Sequence, residues 1–197
     1  FVRNVFNQST IVIDKFHVMK NVFEAVQSVR LRIKNQLMEQ LPKGRKKTNE
    51  DEQILTDLEL LSRCKYLLTK AYCDLNEYQK ELITQLFDRF QELEKAYQLA
   101  ETFRKWYDKN NCSKPRIIIE QELFEWYKLV ETSHLNEFKS TVKMIEKHED
   151  NILNYFQNAI TNAKAENMNG KIQRFITNNY GIRDKDFALY RIAKYFS

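Results

Sequence analysis

The segment Thr10-Ile11-Val12-Ile13-Asp14-Lys15-Phe16-His17-Val18 decides the fold expected of this chain. Its first four residues are β-branched, and such a run favours a β-strand. The run ends at Asp14, and a carboxylate at the tip of a strand is held rigidly. Because Asp is also a favoured helix N-cap, Asp14 has two compatible interpretations, a catalytic group and a cap. His17 can lie near the same site, although a packing or hydrogen-bonding role is the more ordinary expectation.

Helical patterns fill almost all of the remaining chain. Only three Gly and two Pro occur in 197 residues, which favours long helices with few tight turns. In the first half, apolar spacing and capping residues predict a helix over 17–41, a linker over 42–47, a helix near 51–70 and a long helix from an Asn76/Gln79 capping box to about Tyr107. In the second half they predict a loop over 108–115 and a helix that starts at Ile117-Ile118-Ile119, with a short strand as the weaker alternative. A helix from Ser133 to Lys147 and one over 149–178 follow, and Gly181 is expected to cap the end of the latter. Asp184 is expected to cap a last helix that ends near Phe196.

Composition limits the class of protein. Hydrophobic residues make up 43% and aromatic residues 13% of the chain, as expected of a folded protein. The net charge of +5 suits a polyanionic partner without singling one out. The three cysteines, Cys64, Cys73 and Cys112, form no CxxC pair, so we expect free thiols in a reducing cytosol and no zinc knuckle. No apolar run is long enough to predict a membrane span.

A second informative segment is Thr161-Asn162-Ala163-Lys164-Ala165-Glu166-Asn167-Met168-Asn169-Gly170-Lys171-Ile172. At about 100° per residue in a helix, Asn162, Glu166, Asn169 and Gln173 share one face. Lys164, Lys171 and Arg174 share another face, where they could contact DNA phosphates. A carboxylate flanked by amides suits a metal ligand, although a lone Glu on a polar helix is ordinarily just solvated. If the fold brings Asp14 and Glu166 together, the pair can bind Mg²⁺ through oxygen.

The two segments, with Tyr180-Gly181-Ile182-Arg183 after them, together resemble bacterial DDE transposases of the ISL-three group of insertion sequences. The resemblance implies that Asp14 is the second catalytic Asp and that Glu166 is the closing Glu. It further implies two Mg²⁺ (or Mn²⁺) ions, DNA cleavage and strand transfer, and transposon-end and target DNA as partners. It also implies a homo-oligomer in the active complex and a place in the bacterial cytoplasm, associated with the nucleoid.

The architecture implied is mainly α, with a partial RNase H-like α/β core that keeps one strand and carries a large all-helical insertion. We expect core residues over 1–41, the insertion over 42–148 and the closing helices of the core over 149–197. The family's first Asp should lie on a strand well before Asp14, and only thirteen residues precede it here. The sequence therefore predicts the C-terminal portion of a longer transposase, inactive by itself.

Further basic residues are candidate DNA contacts. These are Arg30, Arg32, Lys34, Lys43, Arg45, Lys46 and Lys47, with a solvated face and linker as the alternative. The pairs Trp106-Tyr107 and Trp126-Tyr127 are expected to pack in a core more readily than to stack on a base. Two other functions remain open, a non-catalytic helical interaction module and a basic DNA-binding module, and metal binding distinguishes both from the enzyme.

Overall fold

The computed structural model describes residues 11–41, 48–108, 112–158, 163–178 and 184–196. These residues are mostly helical, and no strand occurs among them. The helices are α1 (Lys15–Gln40), α2 (Asn49–Arg63), α3 (Glu77–Arg89), α4 (Gln91–Trp106), α5 (Arg116–Ser133), α6 (Lys139–Lys147), α7 (Glu149–Asn158), α8 (Ala163–Asn178) and α9 (Lys185–Phe196). Short 3₁₀ turns lie at Leu67–Thr69, Tyr72–Asp74 and Asn136–Phe138. No described helix combines the length and the apolar character needed to cross a bilayer.

Contacts divide the chain into two units, Phe1–Ala159 and Ile160–Ser197. In the first unit, α1 packs along α4 and also contacts α2, α6 and the turn at Asn136–Phe138. In the second unit, α8 packs against α9, where the rings of Phe175 and Tyr195 lie 4.8 Å apart. The predicted division into core, insertion and closing helices concerns the whole enzyme and stays a prediction.

The core of the first unit follows the predicted apolar stripes. On α1, Val18, Val22, Val26 and Ile33 are buried, as the helical spacing predicts. Full burial of each such side chain stabilises the fold by about 1.5–3 kcal/mol. An aromatic cluster continues this core, and its buried members are Phe103, Trp106, Tyr107, Trp126, Tyr155 and Phe156. The prediction that both tryptophans pack internally is confirmed.

The predicted strand at Thr10–Ile13 is not observed, and this part of the sequence-based fold class is corrected. Residue 10 lies outside the described part, and residues 11–14 belong to neither a helix nor a strand. Instead, the N–H of Ile13 donates to the carbonyl of Asn151 at 3.0 Å, and the side-chain amide of Asn154 donates to the carbonyl of Ile11 at 3.0 Å. Two backbone groups of the segment thus bond to α7 in place of a neighbouring strand. The RNase H-like core is not shown.

Three predicted helix boundaries also differ. The helix predicted near 51–70 ends at Arg63, where 3₁₀ turns take over. The helix predicted to run from Asn76 to Tyr107 is broken at Phe90, whose φ of −130° and ψ of 76° are not helical. Ser133 does not start a helix. Ser133 is the last residue of α5, and its hydroxyl accepts the N–H of Leu135. The next residue, His134, adopts a left-handed conformation with φ of 58°.

Local capping predictions are confirmed at the starts of α3 and α9. Asn76 and Gln79 form the predicted capping box at the start of α3. Asp184 accepts the N–H groups of Asp186 and Phe187 and so caps α9. The predicted helix over 149–178 is described as α7 and α8, with 159–162 outside the described residues, as is Gly181.

Candidate active site around Asp14

Asp14 caps the first helix. Its backbone is extended, with φ of −68° and ψ of 143°, and its carboxylate atom Oδ2 accepts the N–H of Phe16 at 3.2 Å. The side chain is 17% exposed, so the carboxylate lies at the surface in a partly enclosed position. The capping interpretation of the sequence is confirmed. Because one oxygen is enough for the cap, the same carboxylate keeps a second oxygen for another ligand.

The segment before Asp14 fixes where this carboxylate lies. The hydrogen bonds of Ile11 and Ile13 to Asn154 and Asn151 tie this segment to α7. Val12 and Ile13 also pack on the hydrophobic core. Asp14 is therefore held from both sides, by α7 through the preceding residues and by α1 through the cap. Sequence reasoning did not identify Asn151 or Asn154, because both are ordinary polar residues on a helix.

Two tyrosines interact electrostatically with Asp14. Burial, with smaller contributions from Tyr155 and Asp14, raises the pKa of Tyr107 far above its usual range. Burial also raises the pKa of Tyr155, with smaller contributions from Cys112, Asp14 and Asp108. The Tyr107 hydroxyl is buried and has no hydrogen-bond partner among the described residues. Both phenols stay protonated at neutral pH, so each can act as a hydrogen-bond donor near a carboxylate.

His17 lies beside Asp14 without a direct hydrogen bond. Its Nδ1 atom is 3.9 Å from Oδ2 of Asp14, which is too long for a hydrogen bond but close enough for an ion pair when the imidazole is protonated. The ring packs edge-on against Phe16, with centroids 5.8 Å apart. His17 is exposed, so it is a neighbour of the site and reaches solvent.

The Glu166 segment belongs to the second unit. Glu166, Lys164 and Asn169 lie within α8, and their side chains are outside what the structure describes, as is the whole of Asn162. Gln173, Lys171 and Arg174 are exposed on the same helix. The closeness of Asp14 and Glu166 stays a prediction. Among the described residues, no group of three or more His, Cys, Asp or Glu side chains is placed to hold a metal ion.

The basic residues predicted on α1 differ in their surroundings. Arg30 is only 4% exposed, and its guanidinium donates to Oε1 of Gln27 at 2.7 Å and to the carbonyl of Leu61 at 3.4 Å. Burial lowers the pKa of Arg30. A side chain enclosed in this way does not reach a phosphate, so the prediction that Arg30 contacts DNA is corrected to an internal role.

Arg32 is bound to two carboxylates. It donates to Oε1 of Glu137 at 2.6 Å and to Oε2 of Glu92 at 3.0 Å, and these bonds raise its pKa. Arg32 thus joins α1 to α4 and to the turn at Asn136–Phe138, and its charge is already neutralised. Lys34 is half-buried on the same helix. Lys43, Arg45, Lys46 and Lys47 lie outside the described residues.

The two tryptophans are fixed by hydrogen bonds inside the first unit. The indole N–H of Trp106 donates to the carbonyl of Ile119 at 3.0 Å, and that of Trp126 donates to the carbonyl of Leu99 at 2.9 Å. Both rings are buried. Neither tryptophan therefore presents a face to a DNA base in this structure.

Comparison with protein families shows to which family the chain belongs. The model of the ISL3-type DDE transposases, described as transposase, matches residues 1–192. The chain belongs to this transposase family. The match includes both Asp14 and Glu166, as well as all of the helices between them. Searches of curated proteins and of solved structures found no match. Membership of a transposase family indicates an enzyme that acts on DNA.

Proposed function

We propose that this chain forms part of the catalytic centre of a transposase that cleaves DNA and transfers strands with divalent metal ions. Asp14 and Glu166 are the proposed metal ligands. The observation that carries the proposal is the family match over residues 1–192, which includes both carboxylates. The position of Asp14 supports it, because the carboxylate is held at the head of α1 with only one oxygen engaged by the cap.

The donor chemistry of Asp14 fits one ligand position of a hard cation. Oxygen ligands are those that Mg²⁺ prefers, and carboxylates are the usual ones that proteins supply. Oδ2 accepts one backbone N–H at 3.2 Å, and a carboxylate oxygen can accept from an N–H and still coordinate a metal. When bound, a pair of metal ions would activate the attacking water or 3′-hydroxyl and stabilise the leaving oxygen. Glu166 would supply a second ligand, and the remaining carboxylate that the family requires is not among the residues proposed here.

The other residues of the site hold and shield this carboxylate. Asn151 and Asn154 fix the segment that precedes Asp14. Tyr107, whose buried hydroxyl has no hydrogen-bond partner in the described part of the chain, is a protonated donor in the electrostatic neighbourhood of Asp14. These groups would reduce the motion of the ligand and so lower the reorganisation needed when DNA and metal bind.

The DNA-contacting residues we propose leave out Arg30 and Arg32, whose guanidinium groups are bound inside the protein. Lys171 and Arg174 are exposed on α8, in the helix that carries Glu166. Lys34, Lys164, Lys43, Arg45, Lys46 and Lys47 complete the proposed set. Neutralising several phosphates would make DNA affinity fall steeply with salt. We further propose that the active complex is a homo-oligomer assembled on paired DNA ends.

The test uses an active transposase that contains this chain. Glu166→Gln and Asp14→Asn should each abolish cleavage of transposon-end DNA in Mg²⁺ while DNA affinity stays within a few-fold of wild type. Asp184→Asn, which changes another helix-capping aspartate, is the matched control and should keep full cleavage. Asp14→Cys should recover part of the cleavage in Mn²⁺ and none in Mg²⁺, because a thiolate binds the softer ion better.

Retained cleavage in Glu166→Gln or Asp14→Asn would contradict the proposal. Unchanged DNA binding with no dependence on either carboxylate or on metal would instead indicate a basic DNA-binding module. Stable self-association without any affinity for DNA would indicate an interaction module.

A further inference from the structure

Three exposed tyrosines lie along the connector between α2 and the start of α3. The rings of Tyr66, Tyr72 and Tyr78 are 71%, 46% and 57% exposed. We call these three residues the tyrosine surface. Large aromatic side chains gain most when they are buried, so three of them left in solvent within thirteen residues, from the connector to the first turn of α3, need a reason.

Each ring of the tyrosine surface has a cation next to it. Nζ of Lys65 lies 5.1 Å from the centroid of Tyr66, and Nζ of Lys80 lies 5.9 Å from that of Tyr72. The guanidinium of Arg63 donates to the hydroxyl of Tyr78.

Two of these cations are shared with acids. Lys80 pairs with Glu77 at 2.8 Å, and Arg63 lies 3.8 Å from Glu59. Lys65 forms no ion pair with another described residue, and the nearby Lys70 forms none either. Asp74 adds a third acid in the same connector, so the four basic side chains exceed the acids Glu59, Asp74 and Glu77 by one positive charge. The surface therefore combines aromatic faces with cations that lie next to them.

The connector is held rigidly from behind. The carbonyl of Lys65 accepts from Gln27 at 2.8 Å, that of Thr69 from Arg104 at 2.9 Å, and that of Lys70 from Tyr97 at 2.9 Å. Leu67, Leu68 and Leu75 point inward and are buried. The backbone between the tyrosines is thus fixed by α1 and α4. A partner that stacks on these rings would meet an ordered backbone, so the conformational entropy lost on binding is mainly that of the tyrosine side chains.

We propose that the tyrosine surface binds single-stranded DNA. Exposed aromatic faces interleaved with basic residues are the combination by which proteins hold single strands, since the rings stack on bases and the cations lie along the phosphates. A duplex would not use the rings, because its bases are already stacked on each other. The inference deepens the proposed function, because it rests on DNA as the partner and adds a contact remote in sequence from both catalytic carboxylates.

The test measures fluorescence anisotropy of a labelled single-stranded oligonucleotide of mixed sequence with the complete chain. Stacking on a ring contributes about 1–3 kcal/mol, so each Tyr→Ala change should weaken binding roughly tenfold. The variant with Tyr66, Tyr72 and Tyr78 all changed to Ala should lose roughly a hundredfold or more, whereas the triple Phe variant, which keeps the rings, should stay within about threefold.

Phe124→Ala is the matched control. Phe124 is 58% exposed and has Nζ of Lys128 4.7 Å from its centroid, but it stands on α5 outside the tyrosine surface. This variant should bind the oligonucleotide as wild type does. Urea unfolding of every variant checks that the fold is kept. An oligonucleotide carrying 5-iodouracil should crosslink on irradiation to at least one tyrosine of the surface.

Three results would overturn the inference: equal affinity in the triple Ala variant, an equal loss in Phe124→Ala, or crosslinks only elsewhere. Unchanged DNA affinity with loss of a protein–protein contact would assign the surface to a protein partner and would also overturn it. The outcome is separable from the catalytic proposal. Asp14→Asn and Glu166→Gln should keep this single-strand affinity within a few-fold of wild type, while retained cleavage in those variants would remove only the catalytic proposal.

Discussion

Replacing Arg30 distinguishes the DNA contact predicted from the sequence from the internal role seen in the structure. In the structure its guanidinium links Gln27 to the carbonyl of Leu61, and Gln27 in turn holds the carbonyl of Lys65. Arg30→Met keeps much of the side-chain stem and removes both hydrogen bonds. Arg30→Ala removes the stem as well. If the residue is internal, both changes lower the free energy of unfolding, and neither acts through DNA.

The magnitude follows from the contacts. A hydrogen bond that involves a charged group contributes about 1.5–3 kcal/mol, and the 2.7 Å bond to Gln27 is the stronger of the two. Release of the desolvated charge offsets part of this loss, so we expect Arg30→Met to cost about 2 kcal/mol. Each methylene removed from the core costs about 0.8 kcal/mol more, which brings Arg30→Ala to about 4 kcal/mol.

Arg32→Met and Lys34→Met on the same helix are the controls. Arg32 is about a third exposed, so solvent screens its ion pairs, and its loss should cost roughly 1 kcal/mol or less. Lys34→Met should change stability least and should weaken binding to DNA.

Urea unfolding followed by the fluorescence of Trp106 and Trp126, both buried in the first unit, measures these differences. Salt-dependent DNA affinity of the same variants measures the other role. An unchanged urea midpoint in Arg30→Met, together with a loss of DNA affinity like that of Lys34→Met, would refute the internal role.

Two further predictions concern capping and pH. Asp14→Ala should lower the free energy of unfolding by about 1 kcal/mol and Asp14→Asn by much less, because Asn also caps. Thermal unfolding measures both variants, and Asp184→Asn is the control for the change of charge. An equal cost for both Asp14 variants would contradict the cap. Burial raises the pKa of Cys64 from 9.0 to about 11 and that of Tyr97 from 10.0 to about 12. The stability that each protonated group contributes is therefore complete below its ordinary pKa and is lost as the pH rises through its pKa in the folded protein. Urea midpoints between pH 8 and 12 should fall accordingly, and Cys64→Ala should reduce the fall between pH 9 and 11.

The features that the sequence predicted correctly depend on close neighbours along the chain. The caps at Asp14, Asn76 and Asp184 each join a side chain to a backbone group two or three residues away. Such contacts can form whatever the rest of the chain does, so a sequence pattern is enough to find them. The same holds for the buried stripe on α1, where a helical period places apolar residues on one face.

The features that were missed depend on distant partners. The β-branched run before Asp14 would become a strand only beside another strand, and α7 supplies its hydrogen bonds instead. The burial of Arg30 depends on a carbonyl of α2, and charged residues are ordinarily assigned to the surface. At the site itself, the position of Asp14 at a helix start was predictable, but its placement near Tyr107 and Tyr155 was not, since neither tyrosine belongs to a motif.

The break at Phe90 has a consequence for the kinds of change this chain can tolerate during evolution. Phe90 is the single residue between α3 and α4 and caps both helices, donating its N–H to the carbonyl of Leu86 and accepting the N–H groups of Leu93 and Glu94. No loop separates the two helices, so nothing there can absorb a change in length. One inserted or deleted residue would rotate α4 by about 100° relative to α3 and turn its buried face away from α1. Substitutions can accumulate at this joint, but we expect related transposases to keep the residue count across it, and length variation to collect in the segments between other helices.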